Sequence, residues 1–210
     1  LFYFLMVNSA IIWQAMVYQK AKQVYRTAIT ALTLRQQLQD EIEEHKQAKE
    51  SLQHMAHHDA LTGIANRRYF EDVFQRTYNL AARNQSKFGL LSLDLNDFKP
   101  VNDLYGHAVG DALLKAVTER LVETIRTTDF CARIGGDEFS VLIENVNSEV
   151  DILDVTYKLS QALSKPFYLQ ERVLHISASI GSALYPDEGV TMDALMLVAD
   201  SKMYRQKNLF

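Results

Sequence analysis

Gly135-Gly136-Asp137-Glu138-Phe139 joins two apolar runs, Phe130-Cys131-Ala132-Arg133-Ile134 before it and Phe139-Ser140-Val141-Leu142-Ile143 after it. Two strand-like stretches joined across a glycine pair predict a β-hairpin. Residues without a Cβ let a backbone come close to a ligand. This tip also carries two carboxylates, a combination that suits a hard cation holding a phosphate. Taken alone, the same five residues equally describe an ordinary solvated hairpin tip, where Gly and Asp are common.

A second acidic segment shifts that balance. In Leu90-Leu91-Ser92-Leu93-Asp94-Leu95-Asn96-Asp97-Phe98-Lys99, Leu91, Leu93 and Leu95 alternate with small or polar residues before charge accumulates. The pattern predicts a strand that ends at Asp94 and runs into a loop. Ligand-binding groups of α/β sheets gather at the carboxyl ends of strands. If this strand neighbours the hairpin, Asp94 and Asp137 can share one or two divalent cations. Two metals about 3.5–4 Å apart stabilise both the attacking and the leaving oxygen of a phosphoryl transfer. Magnesium needs few protein carboxylates, because substrate phosphates and water complete its shell.

The residues around these clusters form longer motifs. Asp94-Leu95-Asn96-Asp97-Phe98-Lys99-Pro100-Val101-Asn102-Asp103-Leu104-Tyr105-Gly106-His107-Ala108-Val109-Gly110-Asp111 resembles the signature segment of GGDEF-domain diguanylate cyclases. Asp59-Ala60-Leu61-Thr62-Gly63-Ile64-Ala65-Asn66-Arg67-Arg68 is similar to the stretch that opens these domains. Ser179-Ile180-Gly181-Ser182-Ala183-Leu184-Tyr185-Pro186 and Ala199-Asp200-Ser201-Lys202-Met203-Tyr204 resemble its later blocks. The resemblance runs from about Asp59 to the end of the chain.

It implies an α/β fold, the palm-like nucleotidyl cyclase domain with a mixed central sheet flanked by helices. It also implies a reaction, in which a dimer condenses two GTP molecules into cyclic di-GMP and two pyrophosphates. Carried over by position, Asp94, Asp137 and the carbonyl of Leu95 would hold two Mg²⁺ or Mn²⁺ ions. Asp137 and Glu138 would serve as proton acceptor or charge stabiliser, beside the close-approach glycines Gly135 and Gly136. Lys99 and Lys207 would neutralise phosphate as point charges. Asn102 and Asp111 would read guanine, since a carboxylate accepts from its N–H donors while an amide both donates and accepts. His107 would line the same pocket. Arg126-Thr127-Thr128-Asp129 matches the R-x-x-D product-inhibition site, where an arginine fork grips phosphate and guanine edges of cyclic di-GMP.

Without the resemblance these residues read more plainly. Asn102, Asp103 and Gly106 suit a turn before a helix starting near Val109. Gly110-Asp111 suits a helix entry, Lys99 a solvated loop charge, and Arg126 a helix end. His57-His58 point in different directions on a helix and carry no metal reading. Cys131, the one cysteine, reads as a small core residue. Two departures from the family pattern stand out. Asn96 replaces a frequent second aspartate, and Asn208-Leu209-Phe210 stands where a Gly-Arg-Asn segment is common.

The amino-terminal quarter differs in character. Leu1–Tyr18 has no charge, with Asn8, Ser9 and Gln14 as polar interruptions, and Lys20, Lys22 and Arg26 follow. A span needs about 20 largely apolar residues. Residues 1–18 are therefore expected to be the end of a transmembrane helix, placing the protein at the inner membrane with its GGDEF domain cytoplasmic. A signal-peptide core or a buried packing helix is the alternative. Residues 19–58 predict a helical linker, in which Val24, Ala28, Ala31, Leu38, Ile42, Leu52 and Ala56 fit a heptad frame. Arg35, His45 and Lys49 take its other seam positions. Residues 59–210 form the globular domain.

A net charge of −4 over 210 residues argues against a nucleic-acid surface. The remaining alternatives are a catalytically weak domain that binds GTP or cyclic di-GMP to regulate an adjacent phosphodiesterase domain, and a dimerising scaffold. Clustered acids speak against the scaffold, which has no need of them.

Overall fold

The computed structural model describes residues 2–169 and 172–208, with side chains for residue 8 and from 11 onward except 48 and 50–54. Two units emerge, Leu1–Gln53 and His54–Phe210. From Phe2 on, the first lies within one uninterrupted helix, α1 (Phe2–His57). Its sequence has neither Gly nor Pro to break it. Thr27, Thr30 and Thr33 each return a hydroxyl hydrogen bond to the carbonyl four residues back, at 2.9 Å. Every residue from 11 to 47 is exposed.

The expected membrane span is corrected here. Among the described residues no helix is long and apolar enough to cross a membrane, so the inner-membrane location is not supported. The physical reason is visible in the sequence. Gln14 and Gln19 interrupt the apolar stretch and Lys20 and Lys22 follow it, so the described helix is not apolar enough for a bilayer core. Leu1 and the Leu52 side chain lie outside the described residues.

The second unit alternates helices and strands: β1 (Ala65–Asn66), α2 (Arg67–Asn84), β2 (Lys87–Asn96), α3 (Phe98–Tyr105) and α4 (His107–Thr124). The hairpin β3 (Phe130–Gly135) and β4 (Glu138–Val146) follows, then α5 (Glu149–Leu163), β5 (Phe167–Leu169), β6 (Arg172–Leu174), β7 (Ser177–Tyr185) and α6 (Met192–Lys207). Five strands form one sheet in the order β1-β3-β4-β2-β7, while β5 and β6 pair separately. The β1–β3 pair is parallel and the other pairs are antiparallel, which makes the sheet mixed.

Strand β2 sorts the core by parity, because successive side chains point to opposite faces. Leu91, Leu93 and Leu95 are buried with Leu113, Val117 and Leu121 of α4 and Ile152 and Leu159 of α5. Phe88 and Leu90 are buried on the other face with Phe70 and Phe74 of α2 and Leu195 and Ala199 of α6. Farther along this second face the side chains turn polar, with Ser92 and Asn96 buried and Asp94 partly exposed.

Two boundaries differ from the sequence reading. The strand does not end at Asp94 but continues to Asn96. The stretch read as a turn around Asn102 and Gly106 is the helix α3. Asp97 breaks the chain with φ 60° before it, and Gly106 with φ 83° separates it from α4. Pro100 sits in the first turn of α3, where a missing N–H costs nothing.

Candidate active site

The two acidic segments meet. Strands β2 and β4 are antiparallel neighbours, and their register sets Asp94 directly opposite Glu138. The N–H of Leu95 donates to the Asp137 carbonyl at 3.3 Å, tying the strand to the hairpin tip. Gly136 turns that tip with φ +50°, a conformation that glycine adopts without penalty.

Asp137 is half-buried there. Burial, with the charge of Asp94, holds its carboxyl above the ordinary value of 3.8, against the opposing pull of Lys207 and Arg133. Lys207, in the last turn of α6, bonds Asp94 at 2.5 Å. That bond raises the ammonium's pKa, and the charges of Asp94, Asp137 and Glu138 reinforce the rise. Asp94 bonds this ammonium directly, the charges of Asp137 and Glu138 act on it as well, and every one of these groups offers hard oxygen. Among the described residues no cluster of three or more His, Cys, Asp or Glu side chains is arranged to hold a metal. The oxygen set nevertheless fits a hard divalent cation that takes the rest of its shell from phosphate and water.

A strap unseen in the sequence fixes the tip. The Arg133 guanidinium donates to the Gly136 carbonyl through Nε at 3.0 Å and Nη2 at 2.7 Å, and to Asp59 Oδ1 through Nη1 at 2.9 Å. Asp59 also accepts from the Thr62 N–H at 2.9 Å and the Thr62 hydroxyl at 2.6 Å. Burial pushes the Asp59 carboxyl up, but the Thr62 and Arg133 hydrogen bonds outweigh it and hold the group below 3.8. The one signal for this role was Asp59 with Thr62 three residues on, an Asx-turn pattern. Nothing in the sequence linked it to Arg133.

Other expected residues are more scattered. Lys99 is exposed on α3, and His107 and Asp111 are exposed on α4. Asn102 packs its amide against Gly110, where any Cβ would collide with it, which brings Asn102 beside the segment that carries Asp111. Asn96 is buried, donating to Ser177 Oγ at 2.8 Å and accepting from Ser179 Oγ at 2.9 Å. The amide thus anchors β2 to β7. Arg126 and Asp129 close a turn, the Arg126 N–H donating to Asp129 Oδ2 at 3.0 Å. The other oxygen, Asp129 Oδ1, is buried without a partner among the described residues. His57 stacks on Tyr69 at 4.7 Å and His58 Nδ1 lies 2.9 Å from the Gly63 carbonyl, in keeping with a structural role. Burial pushes the Cys131 thiol up to about 12, which leaves it inert.

Comparison with known proteins agrees with this geometry. The family described as "Diguanylate cyclase, GGDEF domain" matches residues 56–209. The bifunctional diguanylate cyclase/cyclic di-GMP phosphodiesterase MucR of Pseudomonas aeruginosa is 42% identical over 161 residues, 77% of this chain and 23% of MucR. The diguanylate cyclase TpbB of the same organism is 37% identical over 158 residues, 75% of this chain and 36% of TpbB. The chain therefore spans about a quarter to a third of the length of these relatives. The solved GGDEF domain of TpbB superposes with a TM-score of 0.71 at 35% identity, covering 73% of this chain and 90% of that one. The coiled coil and GGDEF domain of DgcB from Caulobacter crescentus, in complex with c-di-GMP, superposes with a TM-score of 0.73 at 26% identity, covering 83% and 94%. With the matched segment, the shared sheet and the acids facing each other across β2 and β4, this chain belongs to the GGDEF-domain family.

Proposed function

We propose that the chain is a diguanylate cyclase that acts as a homodimer on GTP. In each half-reaction the 3′-hydroxyl of one nucleotide forms a bond to the α-phosphorus of the other. The bond from that phosphorus to pyrophosphate breaks, and the hydroxyl proton passes to a nearby acceptor. The observation that carries this reading is the convergence of Asp94, Asp137 and Glu138 around one cation. Mg²⁺ or Mn²⁺, held by Asp94, Asp137 and the Leu95 carbonyl, would supply charge stabilisation at the transferring phosphoryl group. Lys207 and Lys99 would then offset phosphate charge, and Gly135 and Gly136 would let the backbone approach it. Asn102, Asp111 and His107 would hold guanine. Asp137, or Glu138 on the same face of the sheet as Asp94, would take the proton. Arg126 and Asp129 would bind cyclic di-GMP as an inhibitor, the unpartnered Asp129 oxygen offering an acceptor to a guanine N–H.

Purified protein supplied with GTP and Mg²⁺ should form cyclic di-GMP, and Asp137→Ala should lower that rate by at least about a hundredfold. Activity that survives the substitution rejects the metal role. Added cyclic di-GMP should slow the wild type and leave Arg126→Ala untouched. A second reading, a weak domain that regulates an attached phosphodiesterase, is favoured by the bifunctional relative MucR. GTP binding without turnover would select it.

A further inference from the structure

We propose that the cavity beside Glu138 seats the ribose of the acceptor nucleotide, with Ser92 and Asp200 reading its 2′-hydroxyl; this rests on the cyclase reading above. The cavity exists because of how rows of side chains cross the sheet. Residues directly opposite each other on paired strands share a face. One row runs Glu138, Asp94, Ser179, and the next runs Ser140, Ser92, Gly181. The row after that, Leu142, Leu90 and Ala183, is packed into the core. Small residues in the middle row leave room between the acids and the core.

Helix α6 settles over one end of this row. A Cβ on Gly181 would collide with the Ala199 carbonyl and the Met203 N–H, so only glycine lets the helix come so close. The next residue, Asp200, therefore stands at the wall of the cavity. The space measures about 280 Å³, and its polar lining comes from Ser92, Ser140, Glu138, Asp200, Arg67 and Tyr204. Pockets for whole ligands run about 300–1,000 Å³, so this one suits a fragment of a nucleotide.

Two observations identify the fragment. Ser92 lines the cavity at 4% exposure, and its hydroxyl is buried with no hydrogen-bond partner among the described residues. A buried hydroxyl left unpaired by its own fold calls for a partner from elsewhere. Carboxylates on two sides, from Glu138 and Asp200, accept hydrogen bonds from O–H donors, as acidic residues do for ribose hydroxyls in dinucleotide sites. The reaction decides between sugar and base. The attacking atom is a ribose oxygen, and Glu138 is one of the two acids proposed above to receive its proton. The group beside Glu138 during attack is consequently the sugar. Arg67, held to the Ile134 carbonyl through Nε at 3.4 Å, offers the rest of its guanidinium at the rim.

The test compares GTP with 2′-deoxy-GTP as substrate for wild type, Ser92→Ala and Asp200→Asn. Binding of 3′-deoxy-GTP, which has no attacking hydroxyl, reports on the donor site and on folding. Wild type should prefer GTP by at least about tenfold, because a site built around a hydroxyl rejects the analogue without it. Each variant should slow GTP turnover by about fivefold or more while leaving 2′-deoxy-GTP turnover and the 3′-deoxy-GTP Kd within about twofold. The preference then collapses. Variants that keep the wild-type preference, or that slow both nucleotides equally, overturn the proposal while the cyclase reading stands. A wild type indifferent to the 2′-hydroxyl overturns it as well. Wild-type protein that binds 3′-deoxy-GTP but makes no cyclic product overturns both.

Discussion

Asp137 keeps its proton to a higher pH than an ordinary aspartate, because burial and the neighbouring Asp94 charge both disfavour the carboxylate. Linkage turns this into a stability statement. A carboxyl whose folded pKa is raised stabilises the fold fully below its unfolded value, here near 3.8, and loses that contribution as pH rises through the folded value. At neutral pH the ionised Asp137 is therefore a cost that a bound cation relieves. Asp137→Asn should raise the thermal midpoint of metal-free protein at pH 7, and the gain should shrink as pH falls through the raised pKa. The same variant should lose the stabilisation that Mg²⁺ with GTP gives the wild type. Thermal melts across pH 4–7.5, with and without Mg²⁺-GTP, check both parts; an unchanged or lower midpoint at pH 7 contradicts the linkage. The acids were legible in the sequence because carboxylates beside paired glycines are conspicuous. Arg133 was not, since its bond to Asp59, 74 residues away, depends on β1 becoming the neighbour of β3.

Elements were legible where their ends carry local chemistry. Helix α6 runs from Met192 to Lys207, and Thr191 caps it by accepting from the Ala194 N–H at 3.2 Å. Helix α5 starts behind a capping box of Ser148 and Asp151. Helix α3 was missed because Pro100, Asn102, Asp103 and Gly106 all carry turn chemistry, and only the fold shows them in a helix and its cap. What no local signal reports is the fit between elements. Gly181 is such a fit: β7 and α6 touch backbone to backbone there. Gly181→Ala should push α6 off the sheet and cost about 1–3 kcal/mol in chemical denaturation. Because Lys207 rides on α6 to reach Asp94, the KM for GTP should rise as well. A stable variant with unchanged KM would show that the helix accommodates the methyl group without moving the lysine.

At the scale of the molecule, the proposed reaction needs two GTP sites facing one another, and one copy of the chain supplies one. A closed two-fold pair is the simplest assembly that provides both. Helix α1 carries the chemistry for such pairing. Val24, Leu38 and Ile42 are 69%, 50% and 65% exposed, and they follow the heptad frame along a helix with no Gly or Pro. Long helices in water gain most of their stability from packing an apolar face, and a second α1 offers a matching one. Arg35, His45 and Lys49 at the other positions of that frame would make such a pairing weak enough to shift. Leu38→Cys and Ile42→Cys should each form an interchain disulfide under mild oxidation. Asp40→Cys, about 200° around the helix from both, should cross-link far less. The native cysteine does not interfere, because Cys131 is buried and its thiol is pushed up to about 12. Non-reducing gels resolve the outcomes. Equal cross-linking at positions 38, 40 and 42 would mean random collision, and no cross-linking at any of them would leave α1 without a partner and require the two GTP sites to be brought together by the globular domains alone.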